Sequence, residues 1–389
     1  MTPFLIKYSV IASLLWILVY RTVIKALDAI PFFDALSPPE PEKYPKLSVI
    51  VAACNEEETI EEAMNKLLHQ SYPDLEVIVV NDRSTDATGE ILSTLAGKHW
   101  ALRVINIDHL PSGWLGKVHA LHKGTALAAG EWLLYTDADV HFEPDALRKA
   151  MAHALSEEVD HFAIAPGLQT SSFLLNVIIN AFAGMFMLFT GAGRKSREKS
   201  KRAVGIGAFN LVRKEAFQKT EGFEWLKMEV ADDVGLALML KERGAKSTFA
   251  LSQQDINIIW YKRVRDMFVG LEKNIFGTTT QYSYLRMIIL LILTWAYIFA
   301  PFVAMAAISE TALGCFGLIA YFMLTMAAYR KKAKFGGSII TDLFIPLGHF
   351  IISLMLLRSG ILCLIRGGIL WRGTLYSTAE LRKGQRVRL

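Results

Sequence analysis

Between residues 47 and 136 the chain alternates short apolar runs with segments of helical period, and no other feature restricts its fold as strongly. Residues 47–53, 75–81, 102–106 and 132–136 are β-prone and apolar almost throughout. The intervening segments 57–70, 86–95 and 118–129 have the spacing of amphipathic helices, with Asn55 placed to cap the first. Strands that lack an exposed polar face need cover on both sides, and helices alternating with them supply it. The pattern predicts an α/β domain built on a parallel sheet. In such sheets ligands lie beyond the carboxyl ends of the strands. Polar residues gather at those ends: Asn55 and Glu56 after the first strand, Asp82 after the second, Asp137 and Asp139 after the fourth.

Composition adds a second constraint. Of 389 residues 52% are hydrophobic and 20% charged, and the mean hydropathy of +0.31 is too high for a wholly soluble chain of this length. The excess lies in separate stretches. Residues 4–20 are apolar apart from Lys7 and small polar side chains, and Arg21 and Lys25 follow them. No small-residue cleavage site is present, so an uncleaved anchor over residues 1–27 is expected. Residues 28–46 contain five prolines and read as a linker. Residues 287–308 carry no charge and reach the roughly 20 residues a bilayer crossing needs. Residues 313–329 are a shorter candidate, and 339–365 are interrupted by Asp342, Pro346, His349 and Arg358.

Basic residues mark the sides of these stretches. Loops rich in Lys and Arg stay cytoplasmic, so Arg21 and Lys25 place a domain over 47–255 in the cytoplasm, attached to the inner (plasma) membrane by several passes. Lys331, Lys332 and Lys334 return the chain to that side, and Arg382, Lys383, Arg386 and Arg388 make 366–389 a basic cytoplasmic tail. A single crossing at 339–365 would strand that tail outside. A membrane region over 286–365 is therefore expected to end in a broken, re-entrant or interfacial helix pair, with the break at Pro346-Leu347-Gly348. Residues 256–285 are expected to form interfacial helices.

The net charge of +5 is modest, and no basic stripe interleaved with aromatics suggests nucleic acid. Cys54, Cys315 and Cys363 show no C-x-x-C spacing and indicate neither a disulfide framework nor a zinc site. His109, His119, His122 and His141 show no mutual ligand spacing.

Asp137-Ala138-Asp139 is the densest chemical signal. Carboxylates at a strand end suit a hard divalent cation, which prefers oxygen ligands and completes its shell with phosphate. On residue type alone a solvated loop explains the pair as well. Asp232 and Asp233 could hold a reacting proton, or could simply cap the helix that follows, since acids favour helix N-termini. Lys117 is either a point charge for phosphates or a solvated lysine at a helix start. No G-x-G-x-x-G follows the first strand, which argues against a dinucleotide oxidoreductase, and Gly191-Ala192-Gly193-Arg194-Lys195-Ser196 lacks the spacing of a phosphate loop.

Four motifs in order carry a resemblance. Ala52-Ala53-Cys54-Asn55-Glu56-Glu57, Val79-Val80-Asn81-Asp82-Arg83-Ser84-Thr85-Asp86, Asp137-Ala138-Asp139 and Ala231-Asp232-Asp233 resemble those of family 2 glycosyltransferases. Gly113-Trp114-Leu115-Gly116-Lys117, Tyr261-Lys262-Arg263-Val264-Arg265, Lys273-Asn274 and Trp371-Arg372-Gly373 are most similar to membrane-attached, lipid-modifying members. Those include hopene-associated and carotenoid glycosyltransferases and, more distantly, ceramide glucosyltransferase. The resemblance implies a nucleotide-diphospho-sugar transferase domain, of the Rossmann-like GT-A type, plus transmembrane helices. It implies an inverting transfer from a nucleotide sugar, UDP-hexose above all, to a membrane-lipid hydroxyl, with Mg²⁺ or Mn²⁺.

By the same resemblance Ala53, Asn55, Glu56 and Asp82 would contact base and ribose. Asp137 would lie near ribose and metal, Asp139 would be the direct metal ligand, and Lys117 would face the diphosphate. Asp233 would be the general base, with Asp232 beside it. A Q-x-x-R-W motif common in lipid-modifying relatives is replaced here by Gln253-Gln254-Asp255 and Trp260-Tyr261-Lys262-Arg263, so Arg263 or Arg265 would serve the diphosphate. A processive polysaccharide synthase and a non-catalytic, membrane-anchored sugar-nucleotide-binding protein are the alternatives. Residues 173–189 are apolar enough to cross a bilayer, yet one site needs both Asp139 and Asp233, so this segment is expected to be buried or interfacial. Residues 205–210 read as a strand whose glycines admit a ligand or backbone closely.

Overall fold

The structure is a computed structural model that describes residues 3–192, 202–306, 311–335 and 337–388. Residues 193–196 of the discarded phosphate-loop candidate lie outside them. The chain begins with α1 (Pro3–Ala29), then enters the alternating region: β1 (Leu47–Ala53), α2 (Ile60–Leu68), β2 (Leu75–Asp82), α3 (Thr88–Lys98), β3 (Leu102–Ile107), α4 (Gly116–Leu127) and β4 (Trp132–Asp137). Helix α2 buries Ile60, Ala63, Met64 and Leu67, a spacing that lines one helical face against the sheet. Its start differs from the expectation. Asn55 has φ 55° and does not cap α2; its side-chain oxygen accepts from the Thr85 amide at 2.8 Å, tying the loop after β1 to the loop after β2.

The remaining elements of the domain are β5 (His141–Phe142), α5 (Ala146–Ser156), β6 (His161–Ala165), β7 (Gly167–Leu168), α6 (Phe173–Thr190), β8 (Asn210–Arg213), α7 (Lys214–Gln218), α8 (Asp232–Glu242), β9 (Ser247–Leu251) and β10 (Ile256–Ile258). The main sheet has the order β3-β2-β1-β4-β8-β6-β9. It is mixed rather than parallel, because β8 pairs antiparallel with both β4 and β6. The strand expected over 205–210 starts only at Asn210. The residues before it instead cross the carboxyl end of the sheet as a loop, with the Ala208 carbonyl accepting from Thr136 Oγ1 at 2.8 Å.

The helices that follow the domain are α9 (Val264–Gly270), α10 (Glu272–Thr280), α11 (Tyr284–Ala306), α12 (Thr311–Phe335), α13 (Ile339–Leu343) and α14 (Ile345–Arg366). Among the described residues, four helices, α1, α6, α11 and α14, contain stretches long and apolar enough to cross a bilayer. Helix α1 packs on α12 through Trp16, Tyr20 and Ile24 against Ala320, Leu324 and Ala327. The break expected at Pro346 falls instead at Phe344, between α13 and α14. Pro346 occupies the first turn of α14, where its missing N–H costs nothing, and α14 runs unbroken for 22 residues. Helix α6 packs on α14, where a Cβ on Gly348 would stand 2.6 Å from the Val177 carbonyl oxygen. Because β4 precedes α6, β8 follows it and the two strands pair, the chain on either side of α6 ends on the same side of the sheet.

Residues 366–389 are more than a charged tail. They fold into a hairpin, β11 (Gly368–Trp371) and β12 (Thr374–Ser377), followed by α15 (Thr378–Gly384) with a Ser377–Glu380 capping box. Glu272 at the start of α10 accepts from Arg358 and Arg366 of α14 at 2.6 and 2.7 Å, fastening the last long helix to the domain.

Candidate active site

The parallel register of β1, β2 and β4 brings their carboxyl ends level: Ala52 pairs with Asp137, and Ala53 with Asn81. Beyond these ends lies a cavity of about 420 Å³ lined on one side by Ala53, Glu56, Asp82, Asp137 and Asp139. Lys117, Lys273 and Arg372 face them, and Ile258, Trp260, Tyr261 and Val269 form an apolar wall. Of the residues expected for the nucleotide, Asn55 is exposed and does not line the cavity.

Asp82 is buried at 4% exposure, and Arg83 donates to both its oxygens at 2.8 and 3.0 Å. Gly116 has to be glycine here, since a Cβ would stand 2.3 Å from Asp82 Oδ2. Lys117, in the first turn of α4, lies 2.7 Å from Asp137 Oδ1 and 3.4 Å from Asp232 Oδ2. Desolvation alone would lower the lysine pKa, but the carboxylates of Asp137, Asp232 and Asp233 outweigh it and hold the ammonium charged. Burial also pushes Asp137 upward, yet Lys117 keeps it below the usual carboxylate range.

Asp139 differs. Burial first, then the charges of Asp137 and Glu56, push it up to about 7, and it makes no ion pair among the described residues. A carboxylate pair with one member lacking a counter-charge fits the oxygen-donor chemistry of a hard divalent cation. No three His, Cys, Asp or Glu side chains among the described residues converge on a common point. A cation held by Asp137 and Asp139 would therefore complete its shell with phosphate and water oxygens.

Asp232 and Asp233 open α8 and line a small adjoining recess with Lys117 and Gly207, rather than the cavity itself. Asp233 Oδ2 accepts from the Gly207 amide at 2.9 Å and Oδ1 from its neighbour Val234 at 2.8 Å. Burial, then the Asp232 charge, raises it to about 6. Gly207 lies between the two acidic groups, and a Cβ there would stand 2.6 Å from Asp137 Oδ2. Lys117 is thus the link between cavity and recess. Behind the recess, the buried Glu229 carboxylate accepts from the amides of Ala231, Arg386 and Val387, which straps residues 386–387 to the start of α8.

The expected arginines are elsewhere. Arg263 is exposed and paired with Asp266 at 3.0 Å, Arg265 is exposed, and neither lines the cavity. The cations that do line the cavity, besides Arg83 and Lys117, are Lys273 and Arg372. Arg372 donates to the Cys54 carbonyl at 2.5 Å and pairs with Glu56, while Tyr376 OH accepts from the Gly116 amide at 3.3 Å. The sequence signal for these residues was Trp371-Arg372-Gly373, an aromatic and a cation before a turn-forming glycine, but nothing local ties it to β1.

The chain matches a solved mannosyltransferase, PcManGT from Pyrobaculum calidifontis in complex with GDP-Man and Mn2+, at TM-score 0.53 and 19% identity, over 93% of this chain and 99% of that one. That likeness places the fold among GT-A-like nucleotide-sugar transferases. Residues 48–220 match the family described as Glycosyl transferase family 2, which supports a glycosyltransferase domain there. A probable glycosyltransferase YdaM of Bacillus subtilis (strain 168) is 27% identical over 238 residues, 58% of this chain and 55% of the relative. A poly-beta-1,6-N-acetyl-D-glucosamine synthase of Staphylococcus epidermidis is 25% identical over 330 residues, 80% of this chain and 77% of the relative. The 4,4'-diaponeurosporenoate glycosyltransferase of Staphylococcus aureus (strain USA300) is 27% identical over 196 residues, 49% and 50% of the two chains. The chain thus spans about half the length of the first and third of these relatives.

Proposed function

We propose that the protein transfers a hexose, with inversion, from a nucleotide-diphospho-sugar to the hydroxyl of a membrane lipid of hopanoid, carotenoid or sphingolipid-like character. One observation carries this reading: a single cavity joins carboxylates, cations and an apolar wall continuous with the membrane-type helices. Asp82 and the end of β1 would hold base and ribose. The opposite wall offers Trp260, its ring tilted against Phe182 of α6 with centroids 5.0 Å apart, with Ile259 and Val269 exposed at 53% and 58% beside it. Large exposed apolar side chains next to a polar cavity suit an acceptor that arrives from the bilayer.

In the transfer, the acceptor oxygen bonds to the anomeric carbon as the bond from that carbon to the diphosphate oxygen breaks. The acceptor proton passes to Asp233, whose oxygens are oriented by the Gly207 and Val234 amides. Lys117 supplies positive charge at the leaving diphosphate and holds Asp137 and Asp232 in place. A divalent cation, Mg²⁺ or Mn²⁺, held by Asp139 and Asp137 would add Lewis-acid neutralisation of the same diphosphate. The Mn²⁺ and GDP-mannose of the mannosyltransferase and the likeness to the diaponeurosporenoate enzyme support this donor and acceptor class.

A second reading rests on the polysaccharide synthase, whose likeness runs through the membrane region as well as the domain. Full-length protein in detergent, given UDP- or GDP-linked radiolabelled hexose, Mn²⁺ and bacterial lipid extract, separates the two. Label in a chloroform-soluble glycolipid supports lipid transfer. Label in a water-soluble polymer supports the synthase, and release of free sugar alone removes both.

A further inference from the structure

Three observations on the cavity's cationic side are left over from the proposed reaction. Lys273, on α10, reaches the cavity but makes no ion pair among the described residues; its ammonium stands 4.1 Å from the ring centroid of Trp371. Burial, and then repulsion from Lys117, makes this lysine easier to deprotonate than usual, about 8, although the charges of Asp232 and Asp137 pull the other way. Next, Arg372 and Gly373 form the two-residue loop of the β11–β12 hairpin, with Trp371 and Thr374 paired across it. Both loop residues have positive φ, 47° and 76°. Such a turn favours Asn or Gly at its first position, and an arginine there is strained. Strained backbone of this kind is found where a side chain must be aimed. Here the guanidinium is aimed across the mouth of the cavity at the end of β1.

The third observation concerns availability. Arg83 is committed to both oxygens of Asp82, and Lys117 to Asp137 and Asp232. Lys273 has no carboxylate within ion-pair distance among the described residues, and Arg372 has a partly exposed pair with Glu56, a weak type of contact that an incoming anion can replace. A forked guanidinium and a point ammonium on either side of one space match a diphosphate, which presents several oxygens to both.

We propose that Lys273 and Arg372 form a clamp for the diphosphate of the donor, with Trp371 as the floor that positions the lysine. The clamp rests on the nucleotide-sugar reading and adds to it that donor binding depends on the interfacial helix α10 and on a hairpin that follows the last long helix. It replaces the role expected of Arg263 and Arg265.

The test uses full-length protein in detergent with Mg²⁺, titrated calorimetrically with UDP, GDP, UMP and GMP. Wild type should bind one diphosphate more tightly than its monophosphate. Lys273→Gln and Arg372→Gln should each weaken that diphosphate about 10- to 100-fold, the loss of one charge-assisted contact, and erase most of its advantage over the monophosphate. Lys273→Arg, which keeps the charge, should recover most of the affinity, whereas a folding defect would persist in it. Arg263→Gln should bind as wild type does. Wild type that binds no nucleoside diphosphate overturns the donor reading and the clamp together. Wild type that binds, with both Gln variants binding equally well, overturns the clamp alone.

Discussion

Asp233→Asn replaces the proton acceptor with a side chain of nearly the same shape, so its effects can be apportioned. The carboxylate accepts two backbone amides, from Gly207 at 2.9 Å and Val234 at 2.8 Å. An amide side chain has one acceptor oxygen, so one of these bonds is lost and its donor faces an NH₂ group. That costs about 1–3 kcal/mol of stability, enough to measure and too little to unfold the domain. Removing a positioned base costs about 10²–10⁴ in rate. Donor affinity should stay within about threefold, an order-of-magnitude allowance, because the cavity-lining groups are untouched. The pH profile gives an independent check. Asp233 is raised to about 6, by burial first and the Asp232 charge second, and it works only when ionised. Wild-type kcat/KM should therefore be flat above that pH and fall about tenfold per unit below it. The variant's residual activity should lack this limb. Assayed with labelled donor and lipid extract, a variant that keeps more than about a tenth of kcat would refute the assignment. So would Asp232→Asn abolishing transfer while Asp233→Asn spares it.

Other expectations concern neighbouring groups. Mn²⁺ at about 100 times its Kd should raise wild-type Tm by roughly 5–10 °C; Asp139→Asn should lose most of that shift, as read by differential scanning fluorimetry. Gly207→Ala places a Cβ 2.6 Å from Asp137 Oδ2, so donor KM should rise with little change in Tm. Glu229→Gln should lower kcat more than it raises donor KM, because one of three amide bonds to the carboxylate is lost at the start of α8; equal loss in both would make Glu229 merely structural. Trp260→Ala should raise the KM for the lipid acceptor and leave UDP or GDP affinity unchanged by titration.

What the sequence made legible was local. Strands β1 to β4 end within a residue of their apolar runs; β1, β2 and β4 are buried along nearly their whole length, which leaves little freedom in where polar residues begin, whereas β3, at the sheet edge, exposes Arg103 and Asn106. The acidic groups at those ends came with them. The antiparallel strand was not legible, since four residues, Asn210–Arg213, have no direction of their own and take it from the return of the chain after α6. Asn55 shows the limit of capping rules: its short polar side chain tolerates left-handed φ and found a partner in a neighbouring loop rather than in its own helix. The cationic side of the cavity was least legible. Arg372 meets Glu56 across 316 positions of sequence, and no periodicity reports a contact at that range. Arginines close to the apolar segments were the nearest candidates, and they proved to be exposed.

The hairpin over the end of β1 also has a consequence for the timing of synthesis. Everything needed for the sheet and its acidic edge is translated by β9, yet the cavity lacks a wall until Gly368–Trp371 and Thr374–Ser377 have emerged. By then α11 and α14 have to be housed, because Arg358 and Arg366 of α14 hold Glu272 beside Lys273. A nascent or mis-inserted chain would thus display a folded domain with a wide, one-sided donor cleft. On the proposed reading, competence to act would arrive only once α14 and the hairpin are in place, which couples turnover of nucleotide sugar to assembly of the long apolar helices.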